Sequence, residues 1–236
     1  MIDENDLSQE RTHIYGERCK KAAARLQKRN IHAVYASTRE EALAEVIAMI
    51  PEDTKVVKGD SMSVDQVGVM DELKRRNRNE VIDPFDRDPD GRTVLQGEER
   101  RRAQKQAFLA DIFITGANAV TLDGKIVSTD AVGNRVAPVI FGPEKVILVI
   151  GANKIVKDLE SATRRVHEVA APINAKRHAL KHHLPEFGQL PCVITGSCTD
   201  CNQDWRICRF TVIIEGSMFP QKGRINVVLV GEELGI

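Results

Sequence analysis

The 236-residue chain has no net charge, since 34 Lys and Arg balance 34 Asp and Glu. Without an overall field nothing draws it to nucleic acid or to an anionic membrane surface, and neither is expected as a partner. Long apolar runs are missing too. The longest, such as VILVI at 146–150, fall far short of the roughly 20 residues a spanning helix needs. The N-terminus, MIDENDLSQERTHIYGERCKK, begins acidic and has no apolar segment of the signal-peptide kind, so a cytoplasmic protein without membrane insertion is expected. Internal repeats and low-complexity tracts are absent. Cysteine is scarce outside one stretch: four of the five lie within PCVITGSCTDCNQDWRICRF at 191–210.

What is present is alternation. ERCKKAAARLQKRN reads as a helix and leads into IHAVYAS, a short strand. Ser37 with Glu40 suggests a capping box before EEALAEVIAMI, which Pro51 closes ahead of TKVVKG. SMSVDQVGVMDELKRRN as helix, EVID as strand, GEERRRAQKQAFLA as a solvated helix and DIFITG as strand continue the pattern. Such a series predicts an α/β fold with a mostly parallel sheet and flanking helices, in one domain over 1–236. AVTLDGKIVST breaks the pattern as an inserted β-hairpin, with Asp123-Gly124 expected in a type I′ turn. KVILVIG is a strand buried on both faces, KDLESATRRVHEVA a helix, and RFTVIIEG and RINVVLVG two closing strands. The segment 191–209 is an excursion from this core, and 83–97 is a Pro/Gly/Asp-rich loop long enough to serve as a lid or mobile connection.

In parallel sheets ligands sit beyond the carboxyl ends of the strands, where backbone amides and helix N-termini are exposed. KGDSMS is one such turn: Gly59 permits close backbone approach, Ser61 and Ser63 offer hydroxyls, and Asp60 disfavours phosphate. Ser63 with Gln66 also fits a capping box. TGAN at 115–118 and GANK at 151–154 are two more, with Lys154 as a point charge for an anion. In STDAVGNRVAP, Gly133 turns the chain while Asn134 and Arg135 present an amide and a planar fork suited to a carboxylate or phosphate. Together these turns would form one polar crevice for a small anion.

The block at 111–165, DIFITGANAVTLDGKIVSTDAVGNRVAPVIFGPEKVILVIGANKIVKDLESATRRV, strongly resembles the LUD (lactate utilisation) domain family, the LutC-like proteins of lactate oxidation operons. The resemblance runs from the first helix to RINVVLVGEELG. It implies a fold similar to the NagB/RpiA/CoA-transferase-like group of isomerases and transferases, with the ligand crevice at the strand ends named above. The positions it points to are Gly59, Ser61, Ser63, Gly116, Asn118, Asp123, Gly124, Gly133, Asn134, Arg135 and Lys154. It supplies no catalytic residue.

The cysteine spacing is C-x5-C-x2-C-x6-C, at Cys192, Cys198, Cys201 and Cys208, with Gly196 and Asp200 placed to turn the chain. Four thiolates suit tetrahedral zinc or a [4Fe–4S] cluster, while a disulfide or free thiols remain open. Since the resemblance implies lactate oxidation, in which electrons must leave the substrate, an iron–sulfur cluster is preferred to zinc. The expected role is an electron-transfer or substrate-binding component of a lactate-oxidising system, beside iron–sulfur or flavin-containing partner subunits. The alternatives are an isomerase- or CoA-transferase-like enzyme on a small anionic substrate with a structural zinc clip, or a non-catalytic binding subunit. Cys19, alone in a charged helix, is read as a half-buried small residue. His178 and His182, four apart, and His183 are read as a basic helix end before a metal pair.

Overall fold

The computed structural model describes residues 4–236. In chain order the elements are α1 (Ser8–Gln27), β1 (His32–Ala36), α2 (Arg39–Ala48), β2 (Lys55–Lys58), α3 (Met62–Val67), α4 (Val69–Arg76), β3 (Glu80–Ile82) and α5 (Gly97–Lys105). There follow β4 (Ile112–Thr115), β5 (Ala119–Thr121), β6 (Ile126–Asp130), α6 (Val136–Ile140), β7 (Lys145–Gly151), β8 (Ile155–Val156), α7 (Leu159–Arg165), α8 (Ala171–Lys181), α9 (Pro191–Thr195), β9 (Phe210–Ile214) and β10 (Ile225–Val230).

Six strands form the main sheet in the order β1-β10-β7-β4-β2-β3, and every neighbouring pair is parallel. Because side chains alternate along a strand, the apolar runs split between two faces. Leu148 and Ile150 of β7 and Val227 and Leu229 of β10 meet Cys19, Ala22 and Leu26 of α1. Ile147, Val149, Val228 and Val230 meet Ala42 and Val46 of α2 and Val64, Val67 and Leu73 of α3 and α4. This is the buried, doubly covered sheet that the continuous apolar strands predict. Cys19 is fully buried rather than half-buried, and burial pushes its thiol up to about 12.

A second, four-stranded sheet has the order β8-β5-β6-β9. The expected hairpin, β5 with β6, is its antiparallel centre, and β9 joins it antiparallel to β6 rather than entering the main sheet. The turn is not type I′. Gly124 takes φ 88° while Asp123 is not among the residues of positive φ, and the Gly124 N–H donates to the Thr121 carbonyl. That is the three-residue hairpin loop with a left-handed glycine.

Two caps sit elsewhere than the sequence suggests. Thr38, not Ser37, caps α2 by accepting from the Glu41 N–H, while Glu41 accepts from both the N–H and the hydroxyl of Ser37. Ser61, not Ser63, caps α3 through the Val64 N–H. Gly68, at φ 79°, breaks the expected single helix into α3 and α4. Between α7 and α8 lies a π-helical segment, Val166–Ala170. Pro172, in the first turn of α8, has no N–H for the Glu168 carbonyl, so a normal α ladder cannot run through that point.

Candidate functional site

The carboxyl ends of β2, β4 and β7 open into a cavity of about 300 Å³. Asp60, Ser61 and Met62 come from the turn after β2, Gly116, Ala117 and Asn118 from the turn after β4, and Lys154 from the turn after β7. The end of β6 adds Asp130, the β6–α6 loop Asn134 and Arg135, and α5 Arg100 and Gln104. The π segment and α8 contribute Val166, Ala170, Asn174, Arg177 and His178. Gly116 is needed here, because a Cβ on it would stand 2.8 Å from Ser61 Oγ and 3.3 Å from the Val149 carbonyl.

Of the residues the sequence nominates, Ser61, Gly116, Asn118, Asn134, Arg135 and Lys154 line this crevice. Ser63 lies just behind it, fully buried, and accepts from Lys154 Nζ at 3.0 Å. Gly59 does not approach a ligand: its missing Cβ leaves room for Phe113 and Thr115, each 2.7 Å from where that atom would be. Gly133 turns the loop at φ 86° without lining the cavity. Asp123 and Gly124 are remote from it. Asp123 pairs with Arg29 and Lys125, and Gly124 packs on the backbone of Arg25 in α1. Arg100, Asp130 and Arg177 line the crevice without having been nominated by the sequence, and His178, read there as part of a basic helix end, lines it too. Arg100 and Gln104, four apart in α5, carried the one available signal, hidden in a helix that otherwise reads as solvated.

The lining side chains carry four basic groups, Arg100, Arg135, Lys154 and Arg177, against two carboxylates, Asp60 and Asp130. Asp130 is already engaged: it accepts backbone N–H bonds from Ala131, Arg135 and Val136 at 2.7, 2.8 and 3.2 Å. Arg135 is held in place through Nη2, which donates to Asn118 Oδ1 at 3.1 Å and to the Thr129 carbonyl. Its Nε and Nη1 donate to no described residue, which leaves a guanidinium edge available to an anion. Asn118 is fixed in turn, because Oδ1 also accepts from the Thr129 N–H and its carbonyl accepts from Arg165.

Two buried lysines show what the crevice lacks. Lys58, 4% exposed, pairs with Asp65 at 2.5 Å and Asp83 at 3.1 Å. Burial would lower its pKa, but the two carboxylates outweigh that and the net shift is upward. Lys154, 6% exposed, has Ser63 and no carboxylate among the described residues. Burial, then Arg165 and Arg135, lower its pKa to about 7.

On the far wall, His178 and His182 are joined through their Nδ1 atoms at 2.8 Å, and His182 Nε2 meets Arg87 Nη2 at 2.8 Å. They are not a solvated basic face: His178 stacks on Phe187, and desolvation, then His178 and two arginines, hold His182 at about 4. The 83–97 loop is tied down by this Arg87 contact and by an Arg87–Thr93 bridge.

The cysteine excursion reaches the same wall through Cys208, which lines the crevice and packs on the core beneath the second sheet. All four cysteines are free thiols of intermediate exposure. Gly196 at φ 73° and Asp200 at φ 47° supply the turns the sequence suggests. Burial, then Cys201, Cys208 and Cys198, push the Cys192 thiol upward, so the four share one electrostatic neighbourhood. Arg206 donates to Cys208 Sγ at 3.3 Å and to the Cys201 carbonyl, and pairs with Asp200 at 3.1 Å. Among the described residues no three His, Cys, Asp or Glu side chains are arranged to hold a metal ion. No helix among them is long and apolar enough to cross a membrane.

The LUD domain family model matches residues 19–230. The chain is similar in structure to a DUF162 family protein from Deinococcus radiodurans, with a TM-score of 0.51 at 14% identity over 92% of this chain and 98% of that one. At that identity the likeness speaks for the fold alone. Ribose 5-phosphate isomerase from Plasmodium falciparum aligns with a TM-score of 0.31 at 10% identity, over 50% of this chain and 52% of that one. Comparison with curated proteins gives no match.

Proposed function

The chain belongs to the LUD domain family, and from that membership we propose that it serves the oxidation of lactate or a similar small organic acid, its crevice holding the acid's carboxylate. The observation that carries this reading is Lys154, a buried lysine with no carboxylate partner among the described residues, beside an Arg135 whose Nε and Nη1 donate to none of them. A carboxylate entering between them would relieve the repulsion among Lys154, Arg135 and Arg165 and occupy the Arg135 edge. Asp60, which also lines the crevice, disfavours a dianionic phosphate. Arg135→Ala should weaken binding of lactate by about tenfold or more in titration calorimetry, the loss of a charge-assisted bond, with the far-ultraviolet dichroism unchanged. Equal affinity of wild type and variant across a carboxylate and phosphate panel would remove Arg135 from the site.

Cys192, Cys198, Cys201 and Cys208 would hold the metal group, an iron–sulfur cluster before zinc. The donor set fits in chemistry, since four thiolates satisfy either group, and the Cys192 thiol, pushed upward by burial and by its three neighbours, is one a cation would relieve. As placed they are not drawn together, so binding would have to close the 191–209 segment around the metal. A cluster would supply one-electron transfer beside the crevice, and iron–sulfur or flavin-containing subunits would be its exchange partners. This chain's own part is to orient the acid through Arg135 and Asn118 and to hold the Lys154 amine in the crevice wall against Ser63.

A further inference from the structure

We propose that Lys154 is a nucleophile as well as a charge: its amine condenses with the carbonyl of a short-chain 2-oxo acid bound in the crevice, forming an imine. The inference rests on the reading of the crevice as a carboxylate site, and names the substrate class that the same site would hold covalently.

Three features of the geometry support it. The amine is within the wall of the cavity of about 300 Å³ yet nearly excluded from bulk solvent, and among the described residues it hydrogen-bonds to Ser63 Oγ. No described carboxylate pairs with it, so nothing local holds the ammonium form. The charged groups about it are Arg135 and Arg165, both of which oppose its protonation, while Asp130 is turned to the α6 N-terminus and Asp60 stands in the turn after β2. Desolvation beside other cations is one general way an enzyme keeps a lysine amine neutral and reactive near neutral pH. The pKa of about 7 agrees with that environment. Lys58, buried to a similar degree, differs in its two carboxylate partners, which favour the ammonium form.

The second requirement is a grip that presents the carbonyl. Arg135 offers its free edge to the acid's carboxylate, and since Lys154 lines the same crevice within reach of its charge, the carbon next to that carboxylate would be the one presented to the amine. The step balances without an outside oxidant or reductant. The nitrogen lone pair forms a bond to the carbonyl carbon and the oxygen takes up a proton. The nitrogen then loses its second proton as the oxygen departs as water, leaving a carbon–nitrogen double bond. A 2-hydroxy acid has no such carbonyl and would bind without reaction, so the imine would distinguish the oxidised acid from the reduced one.

Pyruvate with sodium cyanoborohydride, added to the full-length protein, is the test, since the hydride reduces an imine to a stable secondary amine. Intact mass should rise by a single reduced adduct, peptide mapping should place it on Lys154, and lactate in place of pyruvate should give none. Lys154→Arg should lose the adduct while calorimetric binding of pyruvate by the wild type is measured in parallel. Wild-type protein that binds pyruvate yet carries no adduct on Lys154 overturns the imine and leaves the carboxylate site standing. Absence of pyruvate binding overturns both. Because the mapping is read on the wild type, a variant that fails to fold does not blunt the result.

Discussion

Lys154 and Arg135 set the chemistry of the crevice, and their states follow from what surrounds each side chain. In the unfolded chain Lys154 has its ordinary pKa of 10.5, and in the folded one about 7. Between those values the unfolded state binds more protons, so stability rises with pH across that window. Below the lower value both states are protonated and the fold carries the whole cost of a buried ammonium. Lys154→Met should therefore be more stable than wild type, by on the order of a few kcal/mol near about pH 6, with the margin shrinking by about pH 9. Urea denaturation at the two pH values measures this. A margin that does not change with pH would mean that Lys154 is solvated. The lysine was legible in the sequence as a cation after a strand; that no described carboxylate pairs with it was not, because Asp130, five residues before Arg135, is bound to the amides at the start of α6 only once the loop is folded.

At the level of elements, the hairpin and the helix that crosses it are interlocked. Gly124 is left-handed, and a Cβ there would lie 2.7 Å from the Arg25 carbonyl carbon of α1. Gly124→Val should cost roughly 1–3 kcal/mol from the backbone alone, with the clash adding to it. A melting temperature equal to that of the parent would contradict both contributions. The DG dipeptide announced a tight turn, but the distinction between type I′ and a left-handed glycine after a type I turn lies in the loop length, which periodicity fixes only to a residue or two. Helices were legible where apolar spacing was strong, and breaks were not. Gly68 splits α3 from α4, and the π segment before Pro172 brings Val166 and Ala170 to the crevice wall. The Ser61 cap was missed because Ser63 fits the same motif two residues on, and only the burial of Ser63 against Lys154 decides between them.

Across the whole molecule, a parallel sheet opens its carboxyl ends toward a crevice that the second sheet, α8 and the cysteine excursion complete. The alternation of apolar runs made the main sheet readable. The place of β9 was not, since a partly apolar strand beside an excursion gives no sign of which sheet will take it. If the four cysteines hold one metal group, Cys201→Ser should release it, read as loss of iron or zinc and of absorbance near about 400 nm for a cluster, with the main sheet intact because none of its strands passes through 191–209. Full metal content in that variant, or less than about a tenth of an atom per chain in anaerobic wild type, would contradict a four-thiolate centre. The central claim, a carboxylate crevice built around an unpaired Lys154, is tested most directly by titration calorimetry of lactate into wild-type protein near about pH 8 in buffers of different ionisation enthalpy. A bound carboxylate favours the ammonium form, so binding should draw close to one proton per chain from the buffer, and the uptake should vanish well below pH 7, where Lys154 is already charged. Lactate binding with no proton exchange near pH 8, or no binding at all, would contradict it.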